Sequence, residues 1–147
     1  MDILAQLDQA GAVILDRHFV YKSGKHGPGY INMDPVFTDI ELVRELCSAL
    51  EHQVCLNHGH EDDYDTVVGP ATGGIVLAAT FASVNLSCQS IPKVAWADKS
   101  RDGFRFERAG FAECIRGKRV FVIEDLLTTG GSVAEVCREV ERLGGTI

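Results

Sequence analysis

Between Arg119 and Val133 the chain reads Arg-Val-Phe-Val-Ile-Glu-Asp-Leu-Leu-Thr-Thr-Gly-Gly-Ser-Val, and no other stretch limits the fold as much. Val120 to Ile123 is a β-branched and aromatic run of the length of one buried strand. Two acids, Glu124 and Asp125, stand where that strand must end. Thr128, Thr129, Gly130, Gly131 and Ser132 form a loop, and Val133, Val136, Val140 and Leu143 then recur at spacings of three and four, one face of a helix. Strand, glycine loop and helix start follow one another within 15 residues. The first N–H groups of a helix have no intrahelical partner and carry partial positive charge, so this loop is suited to an anion such as phosphate. The hydroxyls of Thr128, Thr129 and Ser132 add donors.

The acids decide what kind of phosphate. A P-loop places a Lys directly after its glycines, and none stands here. Two carboxylates beside a phosphate repel it unless something else on the ligand donates to them. Carboxylates accept hydrogen bonds strongly, and a sugar phosphate carries hydroxyl donors a few ångströms from its phosphorus. Glu124 and Asp125 are therefore placed for the hydroxyls of a ribose 5-phosphate. The plainer alternative is an ordinary βα turn with Ser132 as N-cap and both acids solvated.

An earlier stretch repeats the logic. Thr66-Val67-Val68 reads as a buried strand; it runs into Gly69-Pro70-Ala71-Thr72-Gly73-Gly74 and then an apolar helix through Leu77, Ala78, Phe81 and Ala82. Taken alone it is as well explained by a tight βα turn. Beside the first motif it reads as a second anion site, built from backbone donors.

With 147 residues, the chain suits one domain with one core. Its net charge of −7 gives no basic field for a nucleic-acid backbone. Five cysteines, at 47, 55, 88, 114 and 137, are odd in number and include no Cys-x-x-Cys pair. They read as free thiols of a reducing cytoplasm. No signal peptide opens the chain, and no apolar run approaches membrane length.

The remaining elements follow from periodicity. Ile3, Leu4, Leu7, Ala10 and Ile14 predict a helix over about 2–15, unless Gly11 ends it. His18 to Tyr21 and Tyr30 to Asp34 predict two strands of a hairpin, joined by the cationic, glycine-rich turn from Lys22 to Gly29. Leu42, Val43, Leu46, Leu50 and Val54 predict a helix over about 39–55 with Asp39 as N-cap. His58, His60 and the acids up to Asp65 read as an exposed insertion rather than a metal site, because ligands crowded on one loop rarely close a coordination shell. Ile91 to Ala97 is a strand with Pro92 at its entry. Beyond it, Phe104 and Phe106 alternate with Arg105 and Glu107, which suggests a hairpin arm bearing Lys99, with exposed rings that a partner surface could bury.

The stretch from Val120 to Ser132 resembles the phosphoribosyl-pyrophosphate (PRPP) motif of the type I phosphoribosyltransferases, in which an apolar strand leads into two acids, two apolar residues, Thr-Thr-Gly-Gly and Ser or Thr. Phe19-Val20-Tyr21-Lys22-Ser23-Gly24, followed by Tyr30-Ile31-Asn32, is similar to the N-terminal hood of the orotate enzymes of that family. The resemblance implies an α/β, Rossmann-like fold, a mostly parallel sheet flanked by helices with a small hood over about 1–38 and a core over about 39–147. It implies transfer of ribose 5-phosphate from PRPP to orotate, with Mg2+ carried by PRPP and no metal held directly by the protein. Glu124, Asp125, Leu126, Leu127, Thr128, Thr129, Gly130, Gly131 and Ser132 would bind PRPP. Ala71, Thr72, Gly73 and Gly74 would hold the pyrophosphate, where many orotate enzymes have a Lys at the position of Gly73. Lys22, Tyr30, Ile31 and Thr128 would meet orotate. Lys99 would be catalytic together with Glu124 and Asp125, on an arm reaching the partner's site in a homodimer. The family continues past the last residues here with a further strand and an Arg for the orotate carboxylate, so the core is expected to lack that region. The alternatives are a purine or xanthine phosphoribosyltransferase, or a PRPP-binding regulator without turnover.

Overall fold

The computed structural model describes residues 2–21, 23–58, 64–84 and 91–147. In chain order its elements are α1 (Ile3–Gln9), β1 (Val13–Ile14), β2 (Phe19–Val20), β3 (His26–Gly27), β4 (Tyr30–Ile31), α2 (Asp34–Phe37), α3 (Ile40–His58), β5 (Thr66–Pro70), α4 (Gly73–Val84), β6 (Lys93–Ser100), β7 (Gly103–Arg105), α5 (Phe111–Ile115), β8 (Val120–Val122) and α6 (Gly131–Arg142). The main sheet has the order β7-β6-β5-β8. β5 pairs in parallel with β6 and with β8, and only β7 runs antiparallel. The expected mostly parallel α/β sheet is present.

Successive residues of β5 point to opposite faces, and all five are buried. Val67 joins the core formed with α3 and α4, around Val43, Cys47, Leu77, Ala78 and Phe81. Val68 joins the core formed with α5 and α6, around Ala95, Ile115, Val136 and Val140. A central strand covered on both faces has to be apolar throughout. Phe81 stacks on Phe121 at 4.9 Å between centroids, and Tyr64 lies 5.0 Å from the same ring.

The N-terminal region differs from its expected layout. The first helix stops at Gln9, because Gly11 takes a left-handed φ of +73° and turns the chain out. Val13–Ile14 is then free to pair, and it pairs with Tyr30–Ile31, not with residues 18–21. Phe19–Val20 closes a tighter hairpin with His26–Gly27, in which Gly24, at φ +77°, turns the chain. Gly27 leaves room for the Tyr21 ring, whose hydroxyl donates to the Gly29 carbonyl. Leu7, Ala12, Met33 and Val36 pack into the same core as α3 and α4, so the hood rests on the sheet layer.

Asp39 caps α3 as expected, accepting from the N–H groups of Glu41 and Leu42 at 3.0 and 3.2 Å. The acidic segment after this helix falls mostly on residues 59–63, outside the described residues, as does Cys88. Cys47, Cys55, Cys114 and Cys137 are free thiols, and burial pushes the Cys47 thiol up to about 11.

The arm also differs. Phe104 and Phe106 are only 6% and 7% exposed and belong to the α5/α6 core. The alternation seen in the sequence is that of a strand folded back onto its own domain, so these rings are not available to a partner surface. The arm is further tied to α6 by Glu139, which is 3% exposed. Its carboxylate accepts two hydrogen bonds from Arg142, at 2.7 and 2.8 Å, and lies 3.5 Å from Arg105. The Arg142 hydrogen bonds outweigh the opposing effect of burial and hold the Glu139 carboxyl below its usual range. A carboxylate depressed in the folded state stabilises the fold above its unfolded pKa of about 4.3, and that contribution is lost as the pH falls through the folded value. Glu139→Gln should therefore cost about 1–3 kcal/mol in urea unfolding at pH 7, and the gap to the parent protein should narrow progressively below about pH 4. An equal gap at pH 7 and pH 3 would remove this pair from the acid limb of stability.

Candidate active site

β5 sends the chain through α4 to β6 on one side, and the chain later returns to lay β8 on the other side of β5. α4 covers one face of the sheet and α6 the opposite face. The loops leaving β5 and β8 therefore diverge, and a crevice opens at the carboxyl ends of these two strands, the usual ligand position in open α/β sheets. Both glycine-rich loops singled out in the sequence border this crevice.

The loop after β5 is held tightly. The Ala71 N–H donates to the Ala97 carbonyl at 2.8 Å, and the Ile75 N–H donates to the Thr72 carbonyl at 3.1 Å. The peptide bond between Ala71 and Thr72 is cis. Since Ala71 has committed its N–H to β6, the donors that remain at this helix start are those of Thr72, Gly73 and Gly74. A Cβ on Gly69 would fall 2.6 Å from the Gly74 carbonyl oxygen, and one on Gly74 would fall 2.9 Å from the Gly69 Cα. These two glycines let the helix start against the strand end, a close approach the sequence pattern alone did not single out.

The loop after β8 is anchored by Ile123, whose N–H donates to the Val68 carbonyl at 2.8 Å, and by Leu126, which packs against the α3/α4 core. Leu127, 71% exposed, lies over Gly130. Gly130 is the N-cap of α6, with φ +76° and no side-chain cap. Ser132 lies inside the helix, so the alternative that made it the cap does not hold. The start of this 12-residue helix thus has no side-chain cap, and the hydroxyl-bearing Thr128, Thr129 and Ser132 are exposed beside it. That is the arrangement suited to a phosphate.

Asp125 joins the two loops. Glu124 and Asp125 are half-buried. The Asp125 carboxylate lies directly over Gly73, where an added Cβ would stand 2.5 Å from its Cγ and 2.9 Å from Oδ1. The two motifs, about 50 residues apart in sequence, are in contact at this point.

The other expected site residues are placed less uniformly. Lys22 is outside the described residues. Tyr30 is 42% exposed and stacks on Phe19 at 5.5 Å, whereas Ile31, its neighbour on the strand, turns into the α3/α4 core. The two side chains cannot cover one ligand face together. Lys99 is exposed and pairs with Phe104 across β6 and β7. The base of this hairpin carries a clamp absent from the sequence argument: Arg108 donates to Asp98 at 3.0 and 3.4 Å, with its guanidinium 5.0 Å from the centre of the Trp96 ring. Among the described residues no group of three or more His, Cys, Asp or Glu is arranged to hold a metal.

The chain's relatives agree with this geometry. The phosphoribosyl transferase domain family matches residues 37–147. An orotate phosphoribosyltransferase of Caldicellulosiruptor bescii is 33% identical over 146 residues, which are 99% of this chain and 70% of that protein. The orotate phosphoribosyltransferase of Francisella tularensis superposes with a TM-score of 0.69 at 20% identity, covering all of this chain and 67% of its own. The adenine phosphoribosyltransferase of Saccharomyces cerevisiae superposes almost as well, with a TM-score of 0.68 at 18% identity over 98% of this chain and 82% of its own. Architecture is therefore shared across bases, and the sequence relatives narrow the branch: the chain belongs to the type I phosphoribosyltransferases, in the orotate phosphoribosyltransferase family.

Proposed function

We propose that the crevice between the two glycine loops binds PRPP and transfers its ribose 5-phosphate to N1 of orotate, giving orotidine 5′-monophosphate and pyrophosphate. The contact of Asp125 with Gly73 carries this reading. What supports the reading is that a carboxylate suited to sugar hydroxyls stands between a helix start suited to phosphate and a second glycine loop, the order of groups along PRPP. The 5-phosphate takes the N–H groups of Gly131 and Ser132 and the hydroxyls of Thr128, Thr129 and Ser132, with Gly130 and the Leu126–Leu127 turn shaping the loop. Glu124 and Asp125 accept from the ribose hydroxyls. The pyrophosphate lies against Thr72, Gly73 and Gly74, with Ala71 anchoring that loop to β6. Tyr30 and Lys22 cover the base from the hood, Ile31 supports them from the core, and Thr128 faces base and phosphate together.

Bond breaking at the sugar leaves positive charge on an oxocarbenium-like ring and negative charge on the departing pyrophosphate. Fixed donors aimed at developing negative charge lower such a barrier. Lys99 supplies a further positive charge at these oxygens. Mg2+, carried by PRPP and held by its phosphate oxygens and by water, would offset pyrophosphate charge as a Lewis acid. In this reading the chain acts in the cytoplasm as a homodimer, and the exposed arm tip at Arg101 and Asp102 is the part that reaches the partner.

Following orotate absorbance with PRPP and MgCl2 tests the assignment. Consumption of orotate is expected, while turnover of adenine, guanine or xanthine in its place would move the chain to another base. Lys22→Ala should raise the orotate KM about 10- to 100-fold, the effect of one charge-assisted hydrogen bond, and the PRPP KM much less. Equal changes in both would make the hood turn structural.

A further inference from the structure

We infer that Gly73 is a positioning residue whose missing side chain sets the Asp125 carboxylate across the crevice. This rests on the PRPP reading of the site and deepens it. The glycines around the crevice fall into two kinds. At Gly69 and Gly74 a Cβ would meet backbone atoms of the facing residue, so these two glycines allow the strand end and the helix start to pack. At Gly73 the atoms in the way are the carboxylate of Asp125, the far end of a side chain with two rotatable bonds. Gly73 also lacks the left-handed φ that requires glycine at Gly130. Its backbone accepts alanine, and the nearest atoms in the way all belong to one side chain that can turn aside. What residue 73 controls is the position of the acid.

The consequence is chemical. With the space over Gly73 free, the carboxylate lies against the pyrophosphate loop, at the junction between the sugar hydroxyls and the pyrophosphate. The ligand class that uses this junction is a pentose bearing free hydroxyls next to a pyrophosphate leaving group. A side chain at 73 displaces the carboxylate from that junction while leaving the phosphate-binding start of α6 untouched. A lysine there is incompatible with this placement of Asp125, so the backbone-only form of the loop and the inward acid belong together.

The test is calorimetric titration of PRPP with MgCl2 into four proteins: the parent, Gly73→Ala, Asp125→Ala, and the double variant. Asp125→Ala should weaken PRPP about 10- to 100-fold. Gly73→Ala should weaken it by a similar factor, with its thermal midpoint close to the parent's. In the double variant the methyl at 73 has nothing to displace, so its affinity should equal that of Asp125→Ala alone. Gly73→Ala binding PRPP like the parent, or losses that multiply in the double variant, would overturn the positioning role and leave the PRPP site standing. An unchanged affinity in Asp125→Ala would sink the site reading and this inference with it. Inorganic pyrophosphate is the companion probe: having no sugar hydroxyls, it should bind Gly73→Ala within about threefold of the parent. A loss for pyrophosphate as large as for PRPP would show that the methyl damages the loop itself and would also overturn the role.

Discussion

Replacing Glu124 by Gln and Asp125 by Asn together should weaken PRPP by at least about 100-fold with the fold retained. Each variant keeps the shape of the side chain and removes a charged acceptor, and a hydrogen bond to a charged group contributes about 1.5–3 kcal/mol. The two acids are adjacent, so their losses need not add, and about 3 kcal/mol is the lower end of the expectation. The sign of the effect is more informative than its size. If both acids were only solvated, they would repel a polyanion, and neutralising them would strengthen its binding. At about 6 Å in a water-like medium each charge is worth about 0.7 kcal/mol. Inorganic pyrophosphate, with no sugar hydroxyls, isolates that repulsion. The double variant should therefore lose PRPP and hold pyrophosphate as well as, or better than, the parent. Tighter binding of both ligands by calorimetry would remove the acids from the sugar site.

Those acids were legible in the sequence because a strand end, a carboxylate pair and a glycine loop occupy consecutive positions, where short-range rules apply. The contact of Asp125 with Gly73 was not, since it depends on the parallel register that places β5 beside β8. The same distinction explains the hood. Short strands carry little pattern, and Tyr30–Ile31 could pair with either of two earlier segments. Gly11 and Gly24, both left-handed, decided for Val13–Ile14 by ending α1 early and tightening the next hairpin. Alternation at Phe104 and Phe106 correctly signalled a strand. It could not say which side of that strand would be covered, and α6 covers it with Val136 and Val140.

Lys99→Ala should lower kcat by about 10²- to 10³-fold, the typical loss when one group stabilising developing charge is removed, with little change in PRPP affinity. The residue lies two positions beyond Ala97, whose carbonyl accepts from Ala71 at the start of the loop after β5. Lys99 and Ala97 share one face of β6, since strand side chains repeat every second residue. The buried Phe104 opposite Lys99 holds the hairpin to its own core. This favours action within one chain over the crossing arm that the family resemblance implies. Mixed dimers separate the two. With one chain carrying Lys99→Ala and the other Glu124→Gln/Asp125→Asn, a crossing Lys99 leaves one site free of mutation and restores activity. A Lys99 that serves its own chain leaves every site damaged. Heterodimers shown to form by native mass spectrometry should stay inactive, with Lys99→Ala homodimers retaining parental PRPP affinity. Recovered activity would assign Lys99 to the partner's site, and an active monomer by light scattering would remove the shared arm tip from the mechanism.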